Sequence, residues 1–336
     1  EAWGEHWEER FSRFMFTPFA AASIGQVHEA ISNDGQRMAI KIQYPGVRSS
    51  IDSDINNVAA LLKLIKSVPI DTLAPLIEEA RVQLHAEADY LQEADHLEHY
   101  ASLLSDDDGF IVPRVHRDLT TSDVLAMEYV EGVDVESQSS ASAAHRDRLA
   151  TRLLGLTLQE FFQWGVVQTD PNYANFRYQP EHDRIILLDF GATRHYPQQR
   201  RSAFAGLMLA GISKDVQAVF DMSVKVGYMD HDDPEEYRQA IHQLIDMATE
   251  LARHPGPYDF SNSDLSQRMS QVVMKLRLES DHWRMPPPDI LCLHRKLGGL
   301  YMLCSRLGAR VDVGQLIEQY VSAEADDGIY EELKHA

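Results

Sequence analysis

Short apolar runs separated by turn residues dominate the front of the chain. Short runs at 23–28, 30–31 and 37–43 lie on either side of an Asn-Asp-Gly turn at 33–35. An Asp-Gly turn between two such runs is typical of a β-hairpin. A Pro-Gly pair at 45–46 follows the second run, so we expect its strand to end there.

Longer segments with apolar residues every three or four positions follow the hairpin. This spacing predicts helices over 51–66 and 76–100. Two further short strands are expected at 112–116 and 124–129. The front of the chain is therefore expected to hold a small sheet accompanied by helices.

The pattern changes after residue 131. Helical spacing dominates the rest of the chain, apart from a loop–strand–loop stretch over 168–196. We therefore expect an α+β fold with two lobes, a small strand-containing N-lobe with extra helices over 1–131 and a mostly helical C-lobe over 132–336. The apolar segment 203–212 is expected to face a core, and a lipid-binding groove is the alternative.

Charge is the compositional property that most changes this picture. The 336 residues include 31 Lys and Arg against 52 Asp and Glu, which gives a formal net charge of −21. This balance argues against a nucleic-acid partner, because neutralising phosphates requires clustered Lys and Arg. Any bound anion must therefore be held by a few local cations.

The cysteines and the chain start set further limits. Cys292 and Cys304 are too few for a disulfide framework, so we expect a reducing compartment. No uncharged apolar run reaches the about 18 residues that cross a bilayer, and we expect no transmembrane segment in this chain. The first residue is Glu1 rather than Met, which indicates a trimmed fragment of a longer protein.

Lys41 is the first residue with a candidate chemical role, because it follows a Met-Ala-Ile run late in the second strand. In kinases a lysine in this place directs its ammonium group from a rigid sheet toward a phosphate. The predicted helix 76–100 carries Glu87 and Glu93, which project from different helix faces. One of them is expected to pair with the lysine, and a solvated charged face is the alternative for either.

Two further motifs lie close together in the second half of the chain. Asp170 and Asn175 have the D-x-x-x-x-N spacing of a kinase catalytic loop, and Asp189 opens an Asp-Phe-Gly triplet after a short apolar strand. In kinases the first Asp orients the nucleophile, while the Asn and the later Asp hold Mg²⁺. The order of lysine, loop and triplet predicts a site for Mg²⁺ with ATP or ADP.

The phosphate-covering loop differs from that of ordinary kinases. The chain contains no G-x-G triplet, and the corresponding place holds Ala20, Ala21, Ala22 and Ser23. Alanine restricts the backbone more than glycine does, yet backbone N–H groups and the serine hydroxyl are expected to donate hydrogen bonds to phosphate. The alternative is an alanine-rich start of an ordinary strand or helix.

A second nucleotide-contacting segment is expected near residue 128. Met127, Glu128 and Val130 resemble a kinase hinge, where backbone groups face the adenine and the methionine lines the pocket. Met127 as a simple core residue is the alternative.

Five segments together resemble the UbiB/AarF family of atypical kinases, and particularly its mitochondrial and related bacterial members. They are AAASIGQV at 20–27, MAIKIQYPGV at 38–47, EADYLQEA at 87–94, QTDPNYANF at 168–176 and LDFGATR at 188–194. HRKLGG at 294–299 is also similar, and the resemblance covers about residues 15–310. It implies a protein-kinase-like fold, nucleotide binding with Mg²⁺ and a role in ubiquinone biosynthesis.

The resemblance also assigns roles to individual residues. Lys41 matches the family's phosphate-contacting lysine and Glu93 matches the partner of that lysine. Asp170 matches the catalytic-loop aspartate, while Asn175 and Asp189 match the metal-binding residues.

One family motif is present without its usual partner. Glu87 and Asp89 match the family's E-x-D motif, which normally meets a lysine of an N-terminal K-x-G-Q motif. This chain contains no K-x-G-Q, so we expect neither that partner for Glu87 nor regulation through that extension within it.

The resemblance implies a Mg²⁺-dependent ATPase that supports ubiquinone biosynthesis and is coupled to lipid or quinone-precursor binding. The absence of an A-P-E motif after Asp189 argues against a peptide substrate. The alternatives are a catalytically weak nucleotide-sensing scaffold of a lipid-biosynthesis complex and a small-molecule or protein kinase. Expected partners are ubiquinone-biosynthesis proteins and a peripheral membrane surface, in the bacterial cytoplasm or the mitochondrial matrix.

Overall fold

The computed structural model describes residues 2–64, 70–279 and 284–321. The strands are β1 (Phe11–Phe14), β2 (Ala20–Ala21), β3 (Gly25–Ser32), β4 (Arg37–Gln43), β5 (Phe110–Ile111), β6 (Val124–Glu128), β7 (Val133–Asp134), β8 (Val166–Gln168), β9 (Phe176–Gln179), β10 (Arg184–Leu187), β11 (Thr193–His195), β12 (Tyr258–Asp259) and β13 (Arg310–Val311). The α-helices are α1 (Val47–Leu64), α2 (Ile70–Glu87), α3 (Tyr90–Leu103), α4 (Ala143–Leu158), α5 (Gln198–Ser213), α6 (Val216–Val226), α7 (Glu235–Arg253), α8 (Leu265–Glu279), α9 (Pro288–Leu307) and α10 (Val313–Tyr320).

These elements form two compact units. The first unit contains residues 1–135 and 172–193, and the second contains 136–171 and the chain from 194 onward. Residues 172–193 join the first unit because β9 and β10 share a sheet with β5 and β7. The two-lobe division at residue 131 stays a prediction, while the predicted α+β class is confirmed.

The main sheet of the first unit is antiparallel and has the strand order β1-β3-β4-β6, with β2 also paired to β3. The predicted hairpin is the β3–β4 pair, which turns through Gly35 at φ +87°. Only glycine adopts such a φ without strain. Met38 and Ile40 belong to the core on one face of this sheet, and Ala39 and Lys41 on the opposite face of β4 are also buried. The strand β4 is therefore buried on both faces.

Two predicted elements differ from the structure. The helix predicted over 76–100 is divided into α2 and α3, because Asp89 adopts an extended conformation and its carboxylate accepts hydrogen bonds from the N–H groups of Leu91 and Gln92. Such a side chain caps a new helix, which periodicity alone does not reveal. The strand predicted over 112–116 contains only an isolated bridge at Val115, and Pro113 lacks the N–H that a continuous ladder requires.

The predicted helix 51–66 corresponds to α1, and its last two residues lie outside the described part of the chain. The predicted apolar segment 203–212 forms most of α5, where Phe204, Ala205 and Leu207 lie in the core of the second unit. The core interpretation of this segment is therefore confirmed.

A further feature of the second unit is a π-helical turn, Gln159–Trp164, that continues α4. Such turns are rare and frequently occur at functional sites. Within the described ranges, none of the helices combines the length and apolar character that crossing a bilayer requires.

Candidate functional site

The centre of the candidate site is a buried ion pair between β4 and α3. Lys41 lies in β4 opposite Val27 of β3, and its side chain is only 7% exposed. Its Nζ donates hydrogen bonds to both carboxylate oxygens of Glu93 at 2.9 Å. A third contact joins Nζ to Oδ2 of Asp189 at 3.3 Å. Of the two glutamates considered from the sequence, Glu93 is therefore the one that contacts the lysine.

The charges in this cluster are unbalanced, with one ammonium group beside two carboxylates. Burial alone lowers the pKa of a lysine, but the carboxylates of Glu93 and Asp189 outweigh it and raise the pKa of Lys41. Burial raises the pKa of Glu93 to about 7, an effect that Lys41 opposes and Asp189 increases. Lys41 stays protonated, and the remaining negative charge favours the arrival of a cation.

Helix α3 also holds the Asp-Phe-Gly segment. The backbone carbonyl of Phe190 contacts Nδ1 of His96 at 3.1 Å, and the Phe190 ring lies 4.5 Å from the ring of Tyr100. Asp189 itself has a φ of +59° and its Oδ1 accepts a hydrogen bond from the Gly191 N–H. Aspartate tolerates this left-handed conformation better than most residues, and such outliers cluster at functional sites.

The hairpin of β9 and β10 brings the two predicted metal ligands into neighbouring positions. Asn175 directly precedes β9, and Asp189 follows two residues after β10. The first residue of β9, Phe176, pairs with the last residue of β10, Leu187. The N–H of Leu188 donates to the Asn175 carbonyl at 2.8 Å. Asn175 is buried, and Asp189 is 31% exposed at its side chain. An amide and a carboxylate thus flank one end of this hairpin.

The donor set fits Mg²⁺ with a nucleotide. Asn175 and Asp189 offer hard oxygen atoms, and Mg²⁺ in such enzymes takes one or two carboxylates, several waters and the phosphate oxygens. Lys41 supplies a buried, protonated ammonium group 3.3 Å from the Asp189 carboxylate. The residue types present are therefore compatible with a Mg²⁺–phosphate group, and the metal-binding roles of Asn175 and Asp189 stay predictions.

Asp170 lies in the second unit and is half-buried. It belongs to the segment that leads from β8 to the point where the chain passes into the first unit after Pro171. Its predicted role in orienting the nucleophile stays a prediction.

The alanine-rich segment forms a tight hairpin. Ala20 and Ala21 pair with β3, and the Ala22 N–H donates to the Gly25 carbonyl. Ser23 is exposed at the tip, so its hydroxyl and the backbone around it remain accessible. A Cβ on Gly25 would lie 2.2 Å from the Ile42 carbonyl oxygen, which requires glycine at the base of this hairpin.

The E-x-D residues have separate local partners. Oε2 of Glu87 accepts a hydrogen bond from the Ser23 hydroxyl at 3.4 Å, and Oε1 accepts one from the Gln83 amide at 2.9 Å. Asp89 caps α3 and lies 3.5 Å from the Arg48 guanidinium. Glu87 therefore links α2 to the tip of the alanine-rich hairpin, a contact that sequence reasoning missed.

The hinge-like segment is partly engaged in backbone pairing. Met127 is buried in β6 opposite Ala39, and the Glu128 N–H donates to the Arg114 carbonyl at 2.8 Å. Glu128 carries an exposed side chain and Val130 is half-buried. The nucleotide-contacting roles of Met127, Glu128 and Val130 stay predictions.

Tyr90 is a second residue that sequence reasoning missed. Its ring is fully buried with the Lys41 ammonium 5.0 Å from the ring centroid. Its hydroxyl has no hydrogen-bond partner among the described residues, and burial raises its pKa. Its place between Asp89 and Glu93 in the EADYLQEA run was the available signal.

Both a family model and individual known proteins match this chain. Residues 1–223 match the family model described as the ABC1 atypical kinase-like domain. The chain is 35% identical over 98% of its length to the atypical kinase coq-8, mitochondrial, of Caenorhabditis elegans, and covers 44% of that protein. It is 34% identical over 94% of its length to the atypical kinase COQ8, mitochondrial, of Saccharomyces cerevisiae, and covers 63% of it.

The fold also has a solved counterpart. The structure of Rv3197 from Mycobacterium tuberculosis, determined in complex with erythromycin, superimposes with a TM-score of 0.73 at 23% identity. The alignment covers 96% of this chain and 81% of that one, which supports the fold alone.

The chain spans about half the length of the curated relatives it matches. The family model and the identity over most of the chain confirm both the predicted kinase-like fold and the predicted resemblance, and such a family implies a nucleotide ligand. The chain therefore belongs to the ABC1 family of atypical kinases, together with the COQ8, AarF and UbiB proteins.

Proposed function

We propose that the chain is the catalytic part of a Mg²⁺-dependent ATPase that supports ubiquinone biosynthesis. The single observation that carries this proposal is the buried cluster in which Lys41 contacts both Glu93 and Asp189. Similarity to COQ8 proteins supports the biosynthetic role, with a quinone-precursor lipid, ubiquinone-biosynthesis proteins and a peripheral membrane surface as partners. By the same similarity, we propose a mitochondrial or related bacterial location.

In this function Lys41 contacts the phosphates of ATP, and Glu93 fixes the direction of its ammonium group from α3. Asn175 and Asp189 hold Mg²⁺, which when bound neutralises charge on the phosphates and aligns the terminal one. Asp189 contacts Lys41 and would also be a ligand of Mg²⁺, so it would link the lysine to the metal. Positioning and electrostatics supply the rate enhancement.

Asp170 orients the attacking water in this proposal, as its D-x-x-x-x-N spacing predicts. Ser23 and the exposed tip of the alanine-rich hairpin cover the phosphates with a hydroxyl and backbone donors. Because Ser23 also contacts Glu87, the position of this tip depends on α2. Met127, Glu128 and Val130 contact the adenine.

Thermal unfolding with and without nucleotide tests the binding step. At 100 times its Kd, Mg–ATP should stabilise the wild-type chain by about 2.7 kcal/mol. EDTA should remove most of this gain, and so should Asp189→Asn. Asp108→Asn is the matched control, because Asp108 is a fully exposed carboxylate of the same unit. Equal stabilisation of Asp189→Asn and wild type would refute the proposed site.

Phosphate release separates an ATPase from a nucleotide-sensing scaffold. We expect Asp170→Asn to bind Mg–ATP with wild-type affinity and to release phosphate at least about 100-fold more slowly. Equal rates of phosphate release in the two proteins would favour the scaffold. Liposomes that carry a quinone-precursor mimic should raise the wild-type rate, and indifference to them would refute the lipid-linked part of the proposal.

A further inference from the structure

Helix α9 lies directly against the segment that carries Asp170. A Cβ on Gly299 would lie 2.6 Å from the Pro171 Cβ and 3.2 Å from the Pro171 carbonyl oxygen. One helical turn earlier, the Lys296 ammonium donates a hydrogen bond to Oε1 of Gln168 at 2.8 Å. Both residues belong to the HRKLGG run, so one face of α9 contacts both ends of the segment 168–171.

This contact is buried and charged. Lys296 is 2% exposed, and Gln168 and Thr169 are buried beside it. The carboxylate of Glu160, also buried, accepts a hydrogen bond from the Gln168 N–H at 3.3 Å. Glu160 comes from the π-helical turn that follows α4. The Gln168 side chain and backbone are therefore held by two oppositely charged residues from two different helices.

The surroundings of Lys296 contain two acidic groups. The charges of Glu160 and Asp170 favour the protonated form of Lys296, and burial opposes them and lowers its pKa. A buried ammonium group is costly, and exchanging buried ionic groups for apolar residues of similar size is often neutral or stabilising. Stability alone therefore gives little reason for a lysine at this place, whereas fixing a catalytic segment does.

We propose that Lys296 is a positioning residue that holds Gln168 and, through it and its charge, the carboxylate of Asp170 in the orientation needed for phosphoryl transfer. This inference rests on the proposed function of Asp170. Lys41, Glu93 and Asp189, to which the proposed function assigns nucleotide and metal binding, belong to the other unit. Loss of Lys296 should therefore slow the chemical step and leave nucleotide affinity unchanged.

The test uses Lys296→Met and the double variant Lys296→Met/Glu160→Gln. The single variant leaves the Glu160 carboxylate buried without this cation, so it also loses stability. The double variant removes both charges and should recover most of the wild-type Tm. Arg295→Met, an exposed cation on the same helix, is the matched control for steady-state phosphate release and should keep the wild-type rate.

We expect the double variant to lose 30- to 100-fold in kcat while KM for Mg–ATP stays within twofold, since misplacement of about 1 Å costs about 100-fold. Hydrogen exchange of nucleotide-free protein should be faster across 168–173 in the double variant and unchanged in Arg295→Met. If the double variant recovers both the wild-type kcat and the wild-type Tm, the positioning role of Lys296 is refuted while the proposed function stands. A wild-type chain without Mg²⁺-dependent turnover would overturn the proposed function and the positioning role with it.

Discussion

Removal of the Lys41 ammonium group is the most informative perturbation of the candidate site. Lys41→Met keeps the length of the apolar stem and deletes the charge. It leaves the carboxylates of Glu93 and Asp189, which lie 2.9 and 3.3 Å from the Nζ position, without their shared cation. Glu93 is 1% exposed at its side chain, so water cannot replace the lost partner.

The size of the effect follows from these distances. At an effective dielectric constant of 20, unit charges 2.9 Å apart attract by about 6 kcal/mol, and part of this offsets the desolvation of the pair. Removing one member of a buried pair therefore lowers the free energy of unfolding by about 3–5 kcal/mol. We expect the loss for Lys41→Met to lie at the upper end of this range, because two carboxylates lose their shared cation. The loss for Glu93→Gln should be smaller, because Asp189 still contacts Lys41.

Urea unfolding of a double-mutant cycle measures this energy. Lys41→Met/Glu93→Gln should be more stable than Lys41→Met, because it also removes the charge of the buried Glu93 carboxylate, which the single variant leaves without its cation. The matched control is Arg117→Met, since Arg117 also contacts two carboxylates, those of Asp95 and Glu98, but is exposed on the surface. We expect the control to lose at most about 1 kcal/mol, and an equal loss for Arg117→Met and Lys41→Met would refute the reasoning.

Three further predictions follow from other features. Gly25→Ala should lower the free energy of unfolding by about 1–3 kcal/mol, because the new Cβ would lie 2.2 Å from the Ile42 carbonyl oxygen. Cys292 and Cys304 are buried, and burial raises the pKa of Cys304 to about 12, so a thiol reagent should label both only on unfolding. Carboxylates raise the pKa of Lys41 above its ordinary 10.5, so calorimetric Mg–ADP affinity should not change between pH 7 and 9.5 as a result of Lys41 titration.

For each of these three predictions, one experimental result would refute the reasoning. Gly298→Ala is the control for Gly25→Ala, because a Cβ there meets no atom within 4 Å and alanine favours the helix. Equal stability of the two variants would contradict the steric argument. Rapid labelling of two thiols in the folded chain would contradict their burial. Because its pKa is raised, Lys41 keeps its stabilising positive charge at every pH below 10.5 and loses it only at higher pH. A fall in Mg–ADP affinity with a midpoint below pH 9.5, abolished by Lys41→Arg, would contradict this prediction.

The Asp-Gly turn was sufficient to predict the hairpin, and the helical spacing of apolar residues was sufficient to predict most helices, because it indicates which face of a helix is buried. Local pattern failed at Asp89, where one side chain that caps a helix divides a segment whose apolar spacing continues without a break. It failed again at 112–116, where the proline at 113 removes a backbone donor that a continuous strand pairing would need.

The candidate site divides in the same way. Motif spacing singled out Lys41 and Asp189 because kinase chemistry requires those residue types in that order. Spacing did not reveal the contacts of Ser23 with Glu87, of Tyr90 with Lys41 or of Lys296 with Gln168, because these depend on how elements distant in sequence pack together. The Lys296–Gln168 hydrogen bond joins residues 128 positions apart, and no local signal carries that information.

The discontinuity of the first unit also has a consequence for how the chain folds during synthesis. The main sheet is complete once β6 has been made, but β5 pairs with β10, which lies beyond the whole of segment 136–171. Until residue 187 emerges, the edge of β5 has no partner, and unpaired edges are prone to wrong association. A chain cut after residue 135 would therefore lack the strands β9 and β10 that complete the second sheet. During synthesis, the first unit cannot finish folding until the segment 172–193, which contains Asn175 and Asp189, has been translated.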